Sequence, residues 1–384
     1  LMALSGIRVI DLTRILAGPF CTLMLADMGA EVIKVEPPKG DPVRGQGAIK
    51  EGLSWYFSQF NRNKKSIVLD LYTEEGKADL KLLLESADVL VENYRPGVLA
   101  KMGFTTAFLE EINPRLICAS VNGYGSTGPY VDRPSFDFIA QAMSGFMSVN
   151  GSAEGDPMRA APPMSDMIAG LYTAFGVVTA LHARQRTGKG QNVESSLTNG
   201  LISMMAYLSA EYLATGEIPK RTGNNHPIAS PYGLFRASDG RVAVAPSNDV
   251  FVERFLQVLN LGYLLHEERF KTNADRMENR DELLEIINKV TEKNTVEHWI
   301  KVINEAGCPC GRTMDLSEVF SDPQVLSQEM LLEVDHPGRG TVKMTGFPVK
   351  LSKTPAKIHR ATPELGEHTE EILLPLREGK TGPK

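Results

Sequence analysis

The first 125 residues alternate between short apolar runs and longer stretches in which apolar residues recur with helical spacing. The short runs are rich in β-branched residues and are bounded by glycine or polar residues, which is typical of buried strands. They lie at 7–12, 31–35, 67–71, 88–92 and 116–121. Strands that alternate with helices in this way predict an α/β fold, in which a parallel sheet carries helices on both faces.

Two prolines, Pro162 and Pro163, end an irregular segment and precede an apolar pattern rich in small residues. Proline is tolerated at the start of a helix because the N–H group that it lacks has no helical partner there. The pattern predicts a long helix that ends near Arg186. A short strand at 191–194 and a further helix over 197–213 are predicted to follow.

The pattern of hydrophobic and polar residues changes near residue 223. A hairpin is predicted over 232–246, and charged helices are predicted at 248–259, 277–293 and 295–306. From about 325 onward the pattern is one of strands and loops. We predict that residues 223–324 form a smaller α+β domain, and that residues 1–222 and 325–384 together form the large domain.

Composition narrows the classes of function. The 384 residues are 42% hydrophobic, which is enough for one large core or two domains of unequal size. Lys and Arg number 41 against 47 Asp and Glu, so no overall basic field favours nucleic acid as a partner. Anionic ligands would need a local cluster of basic residues.

The cysteines Cys21, Cys118, Cys308 and Cys310 do not have the spacing of a zinc or thioredoxin site, and no metal site is predicted. Scattered cysteines in a chain of this length fit a reducing compartment, the cytoplasm or an organelle matrix. We expect no signal peptide before the first strand. We also expect no helix that spans a membrane, because no run of about 18 apolar residues is evident.

The N-terminal strand, turn and helix have the outline of a nucleotide-binding unit, and Glu36 closes the next strand. A dinucleotide fingerprint would need three glycines in the turn, but the turn at 14–19 contains only Gly18. Binding of NAD is therefore not predicted. Ligands of such sheets bind beyond the carboxyl ends of the strands. The loops at 14–19, 93–97 and 122–130 follow strands, and the basic cluster at 61–66 would suit a phosphorylated ligand.

Asp166 lies in the first turn of the predicted long helix. A helix N-terminus stabilises a carboxylate through its dipole and its free N–H groups. An ordinary capping role therefore explains Asp166 on the local pattern alone. A functional role needs support from the rest of the chain.

Several segments together resemble the class III coenzyme A transferases of the formyl-CoA/carnitine type. The resemblance covers almost the whole chain and is carried by residues 8–13, 17–19, 29–36, 61–67, 91–97, 123–125, 127–129, 187–191 and 365–369. It implies a large Rossmann-like domain with a parallel sheet, a small domain, and a homodimer in which each protomer threads through the other. The substrates would be an acyl-CoA donor and a carboxylic acid acceptor, with no permanently bound cofactor.

By the position of the family's motifs, the catalytic aspartate corresponds to Asp166. The resemblance places the coenzyme A contacts at Ile15, Leu16, Ala17, Leu69, Asp70, Leu71, Tyr72, Asn93, Tyr94, Arg95, Lys101, Arg133 and Phe136. Pro37 departs from members that have an arginine there for the nucleotide phosphates. Arg62, Lys64, Lys65 or Lys101 would have to substitute for it.

The expected chemistry uses a carboxylate as nucleophile, because transfer of coenzyme A between acids can proceed through an aspartyl anhydride and an aspartyl-CoA thioester. We expect a depressed pKa at the helix start to keep Asp166 ionised. The glycines at 123–128 and the loop around Gly223 are expected to supply N–H groups to the oxyanions.

Two alternatives remain open at this point. The family includes α-methylacyl-CoA racemases, which pair the aspartate with a histidine in a Gly-His-Asp motif. Here the matching residues are Ser135, Phe136 and Asp137, and a phenylalanine cannot carry the second proton. A non-catalytic acyl-CoA binder is the other alternative.

The acceptor acid is less defined. Leu16 stands where the formyl-CoA:oxalate branch has a glutamine, which makes oxalate less favoured. The segment 61–66 and the chain length look most like the succinyl-CoA-dependent dicarboxylate branch. Arg14, Arg44 and Arg133 are candidates to hold a distal carboxylate through bidentate hydrogen bonds.

Overall fold

The structure, a computed structural model, describes residues 1–379. The strands are β1 (Arg8–Asp11), β2 (Glu31–Glu36), β3 (Ile49–Lys50), β4 (Leu53–Ser54), β5 (Lys64–Val68), β6 (Val89–Glu92), β7 (Ile117–Asn122), β8 (Asn192–Ser196), β9 (Gly233–Ala237), β10 (Gly240–Val244), β11 (Cys310–Arg312), β12 (Leu331–His336) and β13 (Gly340–Thr345). Short 3₁₀ helices occupy Pro42–Gly45, Gly262–His266 and Glu268–Phe270.

The α-helices alternate with these strands over most of the chain. They are α1 (Ala17–Asp27), α2 (Trp55–Asn61), α3 (Glu74–Glu85), α4 (Val98–Lys101), α5 (Thr106–Ile112), α6 (Asp137–Met143), α7 (Phe146–Val149), α8 (Met164–Thr187), α9 (Leu197–Ser203), α10 (Ala206–Thr215), α11 (Asp249–Val258), α12 (Asn273–Glu278), α13 (Arg280–Thr291), α14 (Val296–Glu305), α15 (Leu316–Val319), α16 (Pro323–Ser327) and α17 (Thr369–Arg377).

Six parallel strands form the central sheet in the order β5-β2-β1-β6-β7-β8. Numbered along the chain within this sheet, the order is third, second, first, fourth, fifth, sixth. This is the doubly wound arrangement, and its direction of winding reverses between β1 and β6. The prediction of an α/β fold with a parallel sheet is confirmed.

The two faces of the sheet pack on different helices, because successive side chains of a strand point to opposite sides. Ile10 and Leu90 lie in a core with residues of α3, α5 and α17. Val9 and Val89 lie in a second core, which α1 and α8 complete on the other face. Strands buried on both faces explain the continuous apolar runs of the sequence.

The helix α8 packs closely against α1. At Gly170 an added Cβ would lie 2.6 Å from the carbonyl oxygen of Ala17, so a side chain at this position would separate the two helices. By length and composition α8 could span a membrane, and the expectation that no such helix exists is wrong on that criterion. Half of its apolar window is buried inside the protein, however, as in the core helix of a globular domain.

The strand β5 begins earlier than predicted. The sequence analysis assigned residues 61–66 to a basic cluster and began the strand at residue 67, whereas Lys64, Lys65 and Ser66 are part of the strand. Lys64 is fully buried and its ammonium group is paired with Asp11 at 3.2 Å. Burial of a charge in a strand needs such a partner, and the partner lies 53 residues away in the sequence.

The outer edge of β5 is covered by the C-terminal segment. The backbone N–H of Ser66 donates to Nδ1 of His368 at 3.2 Å, and that of Val68 donates to Oγ1 of Thr369 at 3.1 Å. The backbone N–H of His368 in turn donates to the carbonyl oxygen of Ser66 at 2.9 Å. The edge strand therefore has hydrogen-bond partners on both sides.

The chain divides into two compact units, one of residues 1–147, 159–216 and 323–384, the other of residues 148–158 and 217–322. The smaller unit contains the antiparallel sheet β11-β10-β9. Phe235, Phe255 and Trp299 lie in its hydrophobic core. Residues 148–158 and 217–222, which were predicted in the large domain, belong to the smaller unit, and residues 323–324, which were predicted in the small domain, belong to the larger one.

The predicted helix over 197–213 is two helices, α9 and α10. Ala206, the first residue of α10, has a φ of +50°, in the left-handed region that interrupts a right-handed helix. The predicted hairpin over 232–246 is present as β9 and β10, paired in antiparallel register.

Candidate active site

A cavity of about 440 Å³ opens in the larger unit at the carboxyl ends of β1, β6 and β7. This position includes the point where the winding of the sheet reverses, which is where doubly wound folds bind ligands. The cavity is lined by residues 14–17, 93–96, 121–125 and 133–136, together with Tyr72, Val98, Met102, Val131, Asp166 and Leu197.

The loop after β1 forms the first wall. Ile15, Leu16 and Ala17, which the motif positions predict as contacts of coenzyme A, line the cavity. Ile15 has a φ of +72°, which is an uncommon conformation for a β-branched residue. Its N–H points at the carboxylate of Asp41, whose two oxygens each lie 3.3 Å away. A neighbouring side chain therefore holds the loop in a conformation that it would not adopt by itself.

Asn93 joins this loop to the one that follows β6. Its side-chain amide donates to the carbonyl oxygen of Arg14 at 2.8 Å and accepts from the N–H of the same residue at 3.1 Å. The predicted residues Tyr94 and Arg95 follow and also line the cavity. The N–H of Tyr94 is held by Glu92 at 2.7 Å. The two loops on either side of the reversal point are thus fixed to each other.

The segment after β7 forms the opposite wall. Gly123 lies so close to Ser135 that an added Cβ would be 2.5 Å from the Ser135 Cβ. The N–H of Gly125 donates to the side-chain oxygen of Asn122 at 2.5 Å. This N–H group is already engaged, so Gly125 does not fit the expected role of an oxyanion donor. The second predicted source of N–H groups, the loop around Gly223, lies in the smaller unit.

Asp166 is the third residue of α8 and lines the cavity. It does not cap the helix: the residue at the N-cap position is Pro163, and no side chain from within the segment caps the helix N-terminus. Instead, Asp137 accepts the N–H of Ser165 at 2.9 Å and its hydroxyl at 2.8 Å. Among residues 1–379 the carboxylate of Asp166 has no hydrogen-bond or ion-pair partner. The capping explanation of Asp166 is therefore excluded.

Burial, together with the nearby carboxylate of Asp137, raises the pKa of Asp166 to about 7. The expectation of a depressed pKa was wrong. A helix N-terminus does favour the ionised form, but loss of hydration and a second negative charge oppose it here.

Three arginines border the cavity. Arg14, Arg95 and Arg133 have no carboxylate partner within 4 Å among the described residues, and all three are exposed. The guanidinium of Arg133 lies 3.8 Å from the ring centre of Tyr130, in a cation–π contact. The cavity therefore presents positive charge to an anionic ligand.

Other basic residues that the sequence suggested as anion ligands are engaged elsewhere. Arg62 pairs with Asp27 at 2.9 Å, and Lys64 with Asp11, both in buried positions. These interactions leave neither side chain available to a phosphate. The prediction that Arg62 or Lys64 takes the place of the arginine missing at position 37 was therefore wrong. Arg44 is likewise paired with Glu36 at 2.7 Å and stacked on Phe57, and it does not line the cavity. Lys65 pairs with Glu31 and Glu371.

Four of the predicted coenzyme A contacts lie outside the cavity lining. Leu69 and Leu71 are buried in the hydrophobic core, so only their backbone could meet a ligand. Asp70 accepts the N–H of Tyr72 and shapes the turn before α3. Lys101 is exposed at the end of α4. The predicted Tyr72, Arg133 and Phe136 do line the cavity, and the ring of Phe136 is 66% exposed.

Two residues coupled to Asp166 were not predicted from the sequence: Asp137 acts on Asp166, and Tyr56 is affected by its charge. The carboxylate of Asp137 accepts the Ser165 N–H at the start of α8, so Asp166 is not needed as a cap. The negative charge of Asp137 also adds to the effect of burial in raising the pKa of Asp166. Tyr56 lies within electrostatic reach: burial, followed by the charge of Asp166, raises the pKa of Tyr56 to about 12. The motif at 135–137 marks Asp137 but not its contact with the start of α8, and nothing in the local sequence marks Tyr56, because both residues meet Asp166 only through the tertiary fold. The described residues contain no cluster of three or more metal-ligating side chains, and the four cysteines are free thiols.

The profile of CoA-transferase family III matches residues 4–369 of this chain. The acetyl-CoA:oxalate CoA-transferase of Acetobacter aceti is 41% identical over 91% of this chain and 89% of its own length. The succinate–glutarate CoA-transferase of Agrobacterium fabrum is 38% identical over 97% of this chain and 95% of its own length.

A comparison with solved structures also finds proteins that match over nearly the whole chain. The crystal structure of a CAIB/BAIF family protein from Brucella suis superposes with a TM-score of 0.86, at 36% identity, over 98% of this chain and 99% of that one. These similarities extend over nearly the full length of the relatives. The resemblance that the sequence motifs suggested is confirmed, and the chain belongs to CoA-transferase family III and is a CoA-transferase.

Proposed function

We propose that this enzyme transfers coenzyme A from succinyl-CoA to a short dicarboxylic acid, with Asp166 as the nucleophile. The observation that carries the proposal is the unpartnered carboxylate of Asp166 in the wall of the cavity. A capping aspartate would be bonded to backbone N–H groups, whereas a nucleophile needs a free lone pair directed at its substrate. Asp137 takes over the capping role and leaves Asp166 available.

In the first half-reaction, a carboxylate oxygen of Asp166 attacks the thioester carbon of the donor. The carbon–sulfur bond breaks, coenzyme A leaves as a thiolate, and an aspartyl–acyl anhydride forms. The thiolate then attacks the Asp166 carbonyl of the anhydride. The donor acid leaves as a carboxylate, and Asp166 becomes a coenzyme A thioester.

In the second half-reaction, the acceptor carboxylate attacks the Asp166 thioester and releases the thiolate, which gives a second anhydride. The thiolate attacks the acceptor carbonyl of this anhydride, which frees Asp166 and releases the new thioester. Every nucleophile and every leaving group is an anion, and no step transfers a proton. The phenyl ring of Phe136, where a racemase would carry a base, is compatible with this scheme.

Each tetrahedral intermediate places a negative charge on a carbonyl oxygen. The first N–H groups of a helix have no partner within that helix, and Ala17 at the start of α1 lines the cavity. We assign oxyanion stabilisation to this helix start in place of Gly125. Donors of this kind contribute about 3 kcal/mol each in comparable sites.

Coenzyme A is assigned to the loops after β1 and β6. Ile15, Leu16 and Ala17 would meet it largely through backbone groups, and Tyr72, Asn93 and Tyr94 line the same wall. Leu69, Asp70, Leu71 and Lys101 lie outside the cavity, so they would contact only a part of coenzyme A that extends beyond it, Leu69 and Leu71 through their backbone groups alone. Arg14, Arg95 and Arg133 are left for phosphate or carboxylate groups, which they bind in a bidentate fashion.

The substrate classes follow the relatives. Relatives from Agrobacterium fabrum and Homo sapiens are named for succinate or succinyl-CoA and glutarate, and the relative from Acetobacter aceti is named for acetyl-CoA and oxalate. All these acceptors are dicarboxylates. A second carboxylate would meet an arginine of the cavity, which supports a dicarboxylate here as well.

The enzyme is proposed to act as an interlaced homodimer. The side chains of Leu171, Phe175 and Val178 on α8 are 51%, 69% and 45% exposed, and that of Leu213 on α10 is 80% exposed. Apolar surface of this extent on long helices is typical of an interface. Light scattering coupled to gel filtration should give twice the 42.1 kDa mass of the chain; a monomer mass at micromolar concentration would contradict the dimer.

The nucleophile is tested by Asp166→Ala, compared with Asp137→Ala as a nearby carboxylate that is not the nucleophile. Asp166→Ala should bind coenzyme A with unchanged affinity but show no transferase activity. Wild-type enzyme incubated with succinyl-CoA alone should carry a hydroxylamine-sensitive coenzyme A adduct at Asp166, located by mass spectrometry. Turnover of Asp166→Ala above one tenth of the wild-type rate would refute the proposal.

The donor and acceptor are tested by a matrix of succinyl-CoA and acetyl-CoA against oxalate, succinate, glutarate and a monocarboxylic acid. Succinyl-CoA with glutarate should give the largest kcat/KM. A preference for oxalate would move the assignment to the other class of relatives, in spite of Leu16. Exchange of an α-proton of an acyl-CoA into D₂O without an acceptor acid would instead indicate racemase chemistry.

A further inference from the structure

Beneath the loop after β1 lies a set of buried charges that the transfer chemistry does not use. Asp11, Lys34 and Lys64 are fully buried, and Asp41 is 2% exposed. Burial of isolated charges is strongly unfavourable, and these four neutralise one another in two pairs. Lys34 lies 2.9 Å from Asp41, and Lys64 lies 3.2 Å from Asp11.

Lys34 and Asp41 each bind one backbone group of the loop, and these two groups lie on either side of Arg14. The ammonium group of Lys34 donates to the carbonyl oxygen of Thr13 at 2.8 Å. Asp41 accepts the N–H of Ile15. One ion pair therefore fixes the backbone groups on either side of Arg14, at the start of the segment 14–17 that lines the cavity.

The conformation that these bonds hold is a strained one. Ile15 has a φ of +72°, where the branched side chain crowds its own backbone, and such residues persist only when their surroundings determine them. Asp11 supports the same loop from below, since it accepts the N–H of Thr13 at 2.8 Å. Burial opposes the charge on Lys34, but Asp41 and Asp11 outweigh it and raise the pKa of Lys34, so the side chain stays a cation.

We infer that Lys34 and Asp41 are positioning residues for CoA transfer: they hold Ile15, Leu16 and Ala17 in the geometry that orients the thioester over Asp166. Neither residue lines the cavity, so each acts through the loop. The inference rests on the proposed placement of coenzyme A against this loop. A displacement of about 1 Å in a group that orients a substrate lowers the rate by about a hundredfold.

The test is the double variant Lys34→Met/Asp41→Asn. It removes both charges together, which a protein tolerates far better than one unpaired buried charge, and it removes the bond to the Thr13 carbonyl. The matched control is Arg62→Met/Asp27→Asn, a buried pair at 2.9 Å that makes no bond to residues 13–17. Circular dichroism and thermal melting are recorded first, and kinetics are measured well below both melting temperatures.

The expected result is a folded Lys34→Met/Asp41→Asn enzyme in which kcat falls and the KM for the acyl-CoA rises, each by about tenfold. The KM for the acceptor acid should change much less. The control should retain the wild-type kcat and KM values within about twofold. Wild-type kinetics in the double variant, or equal losses in both double variants, would show that the pair serves stability alone and would overturn the inference.

If the double variant does not fold, Asp41→Glu decides the question. It keeps a carboxylate to neutralise Lys34, but the longer side chain moves that carboxylate relative to the Ile15 N–H. A rise of about threefold in the KM for acyl-CoA is then expected, and unchanged kinetics would overturn the inference. Failure here is distinguishable from failure of the proposed mechanism. An active Asp166→Ala enzyme would refute the nucleophile, whereas an inactive one beside an unaffected Lys34→Met/Asp41→Asn enzyme would refute only the positioning role.

Discussion

The carboxylate of Asp137 accepts the backbone N–H of Ser165 at 2.9 Å, and this bond influences both the hydrogen bonding and the pKa of the next residue, Asp166. It satisfies the first turn of α8 with a side chain from α6, so Asp166 is not drawn into a cap. It also places a second negative charge near Asp166, which together with burial raises the pKa of Asp166 to about 7. This contact thus leaves Asp166, the proposed nucleophile, without a capping partner and helps to make it more basic than an ordinary aspartate.

The pH dependence of activity should report this pKa. Because only the ionised carboxylate attacks a thioester, kcat/KM should rise with pH and level off above about 7. The variant Asp137→Asn keeps an oxygen for the Ser165 N–H but removes the neighbouring charge. Its acidic limb should move to lower pH by about one unit. A limb that stays in place would show that Asp137 does not set the basicity of Asp166.

The bond between Asn93 and Arg14 should control the affinity for the acyl-CoA. In Asn93→Asp a carboxylate would face the Arg14 carbonyl oxygen, so one hydrogen bond becomes a repulsion between two acceptors. We expect the KM for acyl-CoA to rise about tenfold, equivalent to roughly 1.4 kcal/mol. Asn93→Ala removes both bonds without repulsion and should have a smaller effect. Equal effects of the two variants would contradict this reasoning.

The unpaired arginines of the cavity should discriminate between the two substrates. If Arg133 holds the distal carboxylate of the acceptor, Arg133→Met should raise the KM for a dicarboxylate by about ten- to a hundredfold. The same variant should leave the KM for a monocarboxylate nearly unchanged. Arg14→Met and Arg95→Met, measured in parallel, show which guanidinium serves the acceptor and which serves the coenzyme. Uniform small effects in all three variants would leave the acceptor without an arginine ligand.

Glu92 should make the fold less stable as the pH rises. Burial raises the pKa of its carboxyl group from 4.5 to about 7. Between these values the folded protein binds more protons than the unfolded chain, so the free energy of unfolding falls as pH increases through this window, by up to about 1.4 kcal/mol per pH unit for one group.

The variant Glu92→Gln carries no titrating proton and should flatten that dependence in urea unfolding curves between pH 4.5 and pH 7. Glu74→Gln, at an exposed position on α3, is the matched control and should leave the slope unchanged. Asp166, whose pKa is also raised, should contribute in the same direction to the slope that remains in Glu92→Gln. An unchanged slope in Glu92→Gln would rule out this role for Glu92.

The central sheet could be predicted from sequence because its strands are buried on both faces and therefore appear as continuous apolar runs. The exception was β5, whose first residues, Lys64 and Ser66, are polar and yet buried. Lys64 is stabilised there by Asp11 on β1. A pattern of hydrophobicity along the chain cannot show a pairing between two distant charges, so the strand was predicted to begin too late.

For the candidate site, the positions of the residues could be predicted from the sequence, but their charges and partners could not. Motif positions led to Asp166 and to most residues of the cavity wall, because the loops that follow parallel strands meet at one edge of the sheet. The pKa of Asp166 was predicted in the wrong direction, since its determinants are burial and Asp137. Arg44 was selected for its charge alone, but its partner Glu36 leaves no room for a substrate carboxylate.

The segment that covers the outer edge of β5 also has a consequence for folding during synthesis. Ser66 and Val68 are translated about 300 residues before His368 and Thr369, which bond to them. At roughly 5–20 residues per second, the edge of the growing sheet stays open on the ribosome for about 15 to 60 seconds. During that interval its free backbone groups can pair with another nascent chain. The sheet of the larger unit can therefore not be completed until the segment around His368 and Thr369 has been synthesised.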